Sequence, residues 1–258
     1  MRNLVPLILF LIVPYFSFAQ NSRKERQEKR REHINQLIRQ DEEGVIAYRK
    51  SFAFGIRLTN DGYGISFEKG VASSVKRTTL YQLTLTERKD HKEQKLGSKY
   101  PYSTPLVYGK INFFYPVRLG VQEQFLLGNK SNKNGVSVTG NVGGGFVAGL
   151  LRPYYVQVES GNSIQYVKYN SADSFDFINN PIGGPSLGKG WSDMKVTPGI
   201  YTKAAMRFDY GRFNEVIAAL EVGITAEYYT KGIPIMLYNK ERKFFFGSYV
   251  SILFGKRK

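Results

Sequence analysis

From about residue 52 to the C-terminus, apolar and polar positions alternate with a period of two, the signature of strands with two unlike faces. Residues 216–229 are the clearest case. Val216, Ala218, Leu220, Val222, Ile224, Ala226 and Tyr228 fall on one face; Ile217, Ala219, Glu221, Gly223, Thr225, Glu227 and Tyr229 fall on the other. Just before them, Ile200, Ala204, Met206, Phe208 and Tyr210 oppose Lys203, Arg207 and Asp209. The last segment sets Phe244, Phe246, Val250, Ile252 and Phe254 against Phe245, Gly247, Tyr249, Ser251 and Gly255. Phe52, Phe54, Ile56 and Leu58 begin the series, followed by Tyr63, Ile65 and Phe67, with further strands near 78–90, 112–127 and 135–151. The segment at 135–151 carries Gly143, Gly145 and Gly149 on its non-lipid side, which suits a crowded interior.

This pattern predicts eight strands, most near the ~10 residues that cross a tilted bilayer. With both ends in the periplasm, the odd connections face outward. The longest stretches between strands, about 91–111 and about 152–195, fall at the third and fifth, while the second, fourth and sixth are short. Long outer loops over short periplasmic turns are the asymmetry expected of a transmembrane barrel. The first outer connection departs from it, with an Asp61-Gly62 step that suits a tight hairpin turn.

The N-terminus has a different period. Arg2 and Asn3 precede an apolar run from Leu4 to Phe18, and Ser17-Phe18-Ala19 places small residues where a signal peptidase cleaves. Residues 1–19 therefore read as a signal peptide, with the mature chain starting at Gln20. Residues 22–43 lack glycine and proline, are rich in helix formers, and meet a stop at Gly44. Ile34, Leu37 and Ile38 form one narrow apolar stripe among charges. The expected division is a charged periplasmic helical segment at 20–48 and an outer-membrane barrel at 50–256. The segment reads as a solvated helix, with a clamp at the barrel mouth or a basic helix on anionic head groups as functional alternatives.

Cysteine is absent, which excludes disulfides, thiolate metal sites and cysteine nucleophiles. A net charge of +16 in a cytoplasmic protein would suggest nucleic acid. In an exported chain it points to outer-membrane lipid, lipopolysaccharide and other envelope proteins, the last through the basic N-terminal helix, and not to nucleic acid.

A soluble sandwich also alternates, so period alone does not decide the fold class. The apolar faces end in aromatics (Tyr63, Tyr210, Tyr228, Phe244, Phe254), as interface girdles do. The opposite faces carry charges of both signs: Arg57, Glu68, Arg118, Lys203, Arg207, Asp209, Glu221 and Glu227. In a sandwich these are solvated. In a narrow eight-stranded barrel they point into a lumen too small to conduct, where buried charges must pair as a structural network. The predicted fold is all-β, a closed antiparallel transmembrane barrel preceded by a short charged helix.

These features resemble the small outer-membrane β-barrel families, porin-like and similar in size to OmpA/OmpX-type barrels. The likeness rests on the Ser-Phe-Ala-Gln junction, the glycine-and-aromatic strands and the run Phe244-Phe-Phe-Gly-Ser-Tyr-Val-Ser-Ile-Leu-Phe254, and covers roughly residues 50–255. It is architectural and implies the outer membrane as location; it carries over no functional residue. Such chains often end on the aromatic, whereas here Gly255-Lys-Arg-Lys258 follows.

Candidate chemistry is sparse. The histidines are His33, in the charged segment, and His91, in Lys89-Asp90-His91-Lys92. His91 with Asp90 and Ser98 or Ser103 is the nearest approach to the triad that lipid A-modifying barrels use, but a base needs an orienting third group, and a solvated loop is the simpler reading. Asp173 and Asp176 are too few for a calcium site. Gly183-Gly184 and Gly188-Lys189-Gly190 lack the strand-to-helix context of a phosphate loop and read as loop flexibility. Glu221 and Glu227 as glycosidase carboxylates have basic neighbours, which favours paired structural charges. No catalytic, metal or cofactor residue is therefore assigned. The expected role is a non-enzymatic scaffold or accessory subunit of an envelope secretion or assembly system. A small porin or ligand-binding barrel and a lipid A-modifying barrel enzyme are the alternatives.

Overall fold

The computed structural model describes residues 27–29, 31–32, 48–74, 76–97, 104–130, 135–160, 163–170, 175–186, 188–211 and 215–258. The chain divides into two units, Met1–Ala47 and Tyr48–Lys258. In the first, residues 27–29 and 31–32 are helical and exposed. The residues expected to form the signal peptide, and the other residues of the charged segment up to 47, lie outside the described residues.

In the second unit, eight strands close into an antiparallel barrel: β1 (Lys50–Thr59), β2 (Gly62–Ser74), β3 (Arg77–Arg88), β4 (Asn112–Gly128), β5 (Ser137–Pro153), β6 (Lys195–Asp209), β7 (Val216–Ile233) and β8 (Arg242–Arg257). Every neighbour is the next in sequence, and β8 returns to β1. A row of paired residues that leaves β7 at Val216 passes Lys256, Phe52, Lys69, Tyr81, Val121, Gly144 and Thr202 and meets β7 again at Ala226, ten residues on. That stagger over eight strands tilts them by about 40°, within the range of closed barrels.

Closure explains the alternation. The polar faces point inward and are buried, while the apolar ones form an exposed belt: Phe52, Leu58, Leu119, Phe146, Ile200, Val222 and Phe246 are all more than 40% exposed. A soluble protein does not show such a continuous apolar surface. Among the described residues no helix is long and apolar enough to cross a membrane; the strands do the crossing, and closure leaves no unpaired edge in lipid. This is an outer-membrane β-barrel.

Details correct the expectations at three places. The two-residue turn at Asn60 and Asp61 uses no positive φ, and Gly62 already belongs to β2. A Cβ on Gly62 would collide with the Glu87 carbonyl of β3, so close strand approach requires the glycine. The barrel continues past the expected end at residue 256, its last strand running to Arg257. Lys258 and Lys50 exchange backbone hydrogen bonds at 2.7 and 2.8 Å, and Arg257 binds Asp209, so the basic end finishes the seam between β8 and β1.

The third correction concerns the outer connections. Residues 154–194 contain Tyr155–Ser160, Ser163–Lys168 and Pro181–Gly183 as a three-stranded sheet, with a short helix at Phe175–Asn179. Lys95–Leu96 pairs with Leu106–Val107. Leu106, Val107, Tyr154, Val156, Val158 and Phe177 pack into a core of their own above the barrel. Gly183 and Gly184 are packed positions, not flexible ones. Gly184 donates to the Thr104 carbonyl at 2.9 Å, and a Cβ there would crowd the Tyr154 hydroxyl. The Gly183-Gly184 step thus serves as the join between two loops.

Candidate functional site

Read from the end that carries Lys50 and Lys258 toward the long connections, the inner face of β7 gives the interior in layers. Ile217 and Ala219 come first and pack with Ala53 and Leu253. Glu221 and Glu227 follow, 0% and 1% exposed. Tyr229 comes next and joins an apolar plug with Phe114, Val147, Leu151, Tyr201, Ile233 and Ile235. The charged layer is thus enclosed between two apolar ones. In the plug the rings of Phe114, Tyr229 and Phe245 stand 5.6–5.7 Å apart, two of the three contacts edge-on. Gly149 lets them close in, since a Cβ there would lie 2.9 Å from the rings of both Phe114 and Tyr229.

Two carboxylates organise the charged layer. Glu221 accepts hydrogen bonds from Arg207 Nε at 2.9 Å and Nη2 at 2.5 Å, Lys203 Nζ at 3.0 Å, Asn141 Nδ2 at 2.8 Å and the Tyr249 hydroxyl at 2.7 Å. Arg207 also donates to Glu68 at 2.7 Å, and Gln82 donates to Glu68 at 2.5 Å. Arg57 stacks 3.9 Å over the Tyr249 ring, with Nη2 at 3.7 Å from Glu221. Nearer the outside, Glu227 accepts from Arg118 at 2.5 and 2.8 Å, Arg88 at 3.1 and 3.2 Å, and the Tyr229 hydroxyl at 2.7 Å. Arg88 pairs in addition with Asp61 at 2.6 Å. Gln82 and Gln122 bridge the middle, Gln122 donating to Gln82 at 2.6 Å and Lys203 to Gln82 at 3.1 Å.

Of the eight luminal charges read from the sequence, the structure places Arg57, Glu68, Lys203, Arg207 and Glu221 in one group and Arg118 and Glu227 in a second. Asp209 belongs to neither. It sits at the end that carries the barrel's two termini, bound by Arg257 and the Gly211 amide, with Lys130 at 3.8 Å. Arg88 is a further luminal cation, and its position in β3 shares the inward parity of Thr84 and Thr86. The partners Gln82, Gln122, Asn141 and Tyr249 gave no charge signal to find them by.

The arrangement binds strands together and leaves little room for chemistry. Burying so many ions is tolerable because each carboxylate is saturated by donors and the apolar layers keep water out. Glu221 and Glu227 have no approach for a sugar or water nucleophile, so the glycosidase arrangement is not formed. Among the described residues no group of His, Cys, Asp and Glu is arranged to hold a metal ion. His91 is 66% exposed; its Nδ1 lies 3.4 Å from Asp90, whose carboxylate also accepts from the Lys92 amide and Asn239. Ser98, Ser103, His33, Asp173 and the side chain of Asp176 lie outside the described residues.

The outer cap has its own polar fastenings. Lys110, 2% exposed, donates to Glu93 at 2.6 Å; burial lowers its pKa, and Glu93 offsets part of that. Asp193 accepts from Tyr155 and from Lys168, the latter at 3.0 Å, and both hold its carboxyl below the ordinary value. Arg152 lies 4.1 Å over the Phe113 ring and 4.7 Å over that of Trp191, which stacks on Tyr115 at 6.0 Å.

No family model matches the chain, and no curated protein matches it. Among solved structures it is similar to Neisserial surface protein A (TM-score 0.35, 11% identity, covering 81% of this chain and 94% of that one). It is also similar to Ail, the attachment invasion locus protein of Yersinia pestis, solved in complex with the heparin analogue sucrose octasulfate (TM-score 0.34, 10% identity, covering 80% and 95%).

Proposed function

We propose that this protein is a non-conducting, non-enzymatic outer-membrane barrel that acts as a scaffold or accessory subunit of an envelope secretion or assembly system. The sealed lumen carries the reading. Three buried carboxylates, five cations and an aromatic plug fill the space that a porin would leave to water, so the interior supports the wall and the surfaces are left for function. The cap supports the same reading, because its loops are packed around their own core, giving a fixed surface for a partner protein. The exposed Lys92, Lys95, Lys189, Lys195, Lys240 and Lys243 lie in or beside the long connections and suit contact with lipopolysaccharide phosphates. The basic segment at 22–43 is the second proposed contact, toward periplasmic envelope proteins.

Planar-bilayer recording and cross-linking in cells test this reading together. It expects no single-channel steps and a reproducible cross-linked envelope partner captured from cap positions. Steady conductance, or a barrel that is strictly monomeric and captures nothing, overturns it. The porin alternative has no observation in its favour once the lumen is filled.

A further inference from the structure

The apolar belt is uneven in height. Between the edge at Lys50 and the turn at Asn60 and Asp61, β1 presents four outward apolar residues: Phe52, Phe54, Ile56 and Leu58. On β7, seven run from Val216 to Tyr228. Each outward step on a strand tilted by about 40° rises about 5 Å. The wall at β1 is therefore about 15 Å tall and that at β7 about 30 Å, against a usual band of about 25 Å. Lipid beside β1 must thin, and its head groups sink toward the barrel's equator.

The residues under that short wall suit the sinking head group. Lys256, Phe52 and Lys69 are direct cross-strand neighbours in one row over β8, β1 and β2, all three exposed, with Lys69 Nζ 5.9 Å over the Phe52 ring. Lys50 and Lys258 lie at the edge just below. No carboxylate of the described residues pairs with Lys69 or Lys256. The outward acid at this level, Glu123, is two strands from Lys69 and accepts the Thr79 hydroxyl at 2.8 Å. In the next row outward, Phe254, Phe54 and Phe67 are adjacent, with Leu83 beyond. Together they line a groove of about 770 Å3 on the outer wall, rimmed by Lys69, Lys256 and Lys258.

We infer that this seam holds one anionic glycerophospholipid of the periplasmic leaflet, its phosphate between Lys69 and Lys256 and its acyl chains along Phe54, Phe67 and Phe254. Two independent features select that occupant. The two cations that flank Phe52 call for a negative head group, and the aromatic groove directly outward of them calls for chains that enter the bilayer from the periplasmic side. The inference rests on the barrel, its register and the expected orientation with both ends in the periplasm, and it holds whether or not the scaffold reading does.

Native mass spectrometry of the folded protein in detergent tests it, with phosphatidylglycerol and phosphatidylcholine of identical chains as probes and heat-modifiability as the check on folding. The wild type should retain one phosphatidylglycerol in preference to phosphatidylcholine. Lys69→Gln and Lys256→Gln should each weaken retention about fivefold, and the double variant about twenty-five-fold. The outer-end control, Lys195→Gln with Lys243→Gln, should match the wild type. Equal retention of the two lipids, undiminished retention in the folded double variant, or an equal loss in the control overturns the site.

Discussion

Arg118 donates both Nε and Nη2 to a single oxygen, Oε1 of Glu227, at 2.8 and 2.5 Å. Arg118 stands on β4 and Glu227 on β7, strands that are three places apart in the barrel order. The pair therefore crosses the lumen and braces walls that share no backbone hydrogen bond. Glu68 on β2 and Arg207 on β6 form a second such brace at 2.7 Å.

Glu221 is the anion on which Lys203, Arg207 and Arg57 converge, so removing its charge leaves buried cations with Glu68 alone. Glu221→Gln should lower stability by about 3–5 kcal/mol, the usual cost of breaking a buried pair by removing one partner. Urea unfolding in detergent measures it. Adding Lys203→Met should restore part of the loss, because one uncompensated charge leaves with it; strictly additive losses would show that the two residues are not coupled.

Gly149 is the clearance for the plug. Gly149→Ala places a methyl group 2.9 Å from the rings of Phe114 and Tyr229. The expected cost is about 1–3 kcal/mol from overpacking. Conductance should stay absent, since the ion-paired layer below still fills the lumen. Channel steps in the variant would show that the plug alone is the seal.

The Tyr155–Asp193–Lys168 contact gives the cap a pH window. Asp193 is held below its ordinary 3.8, first by the Tyr155 hydrogen bond and then by Lys168. Its contribution is present above that value and is lost as pH falls through the lower folded one. Tyr155 is raised above its ordinary 10.0 by Asp193, so its contribution is present below 10.0 and is lost as pH rises past the folded value. Trp191, the single tryptophan, lies two residues from Asp193 and reports the region by fluorescence. The signal should be flat between these limits and change beyond each. Asp193→Asn should abolish the acid transition; an unchanged transition would assign it to another group.

His91 is solvated and its neighbour Asp90 is engaged by the backbone. His91→Ala should leave lipid A composition unchanged when outer membranes are compared by mass spectrometry. A lost lipid A modification would reinstate the enzyme alternative.

The sequence by itself determined the eight strands, their faces and the parity of their connections, because a period of two with charges on one side has few closed solutions. It also placed Arg207 beside Glu221, which the register pairs directly on β6 and β7. It did not determine which charges meet across the lumen. A barrel brings β2 to β6 and β4 to β7 through a stagger of ten residues, and no local pattern encodes that sum of seven turns and registers. For the same reason the sequence does not separate Asp209, which pairs with Arg257 at the end of the barrel, from the other luminal charges, and it does not single out Arg88, which braces Glu227. The loops show the same division. Their glycines read locally as flexibility, and only tertiary packing against Tyr154 and Pro105 revealed a cap with its own core.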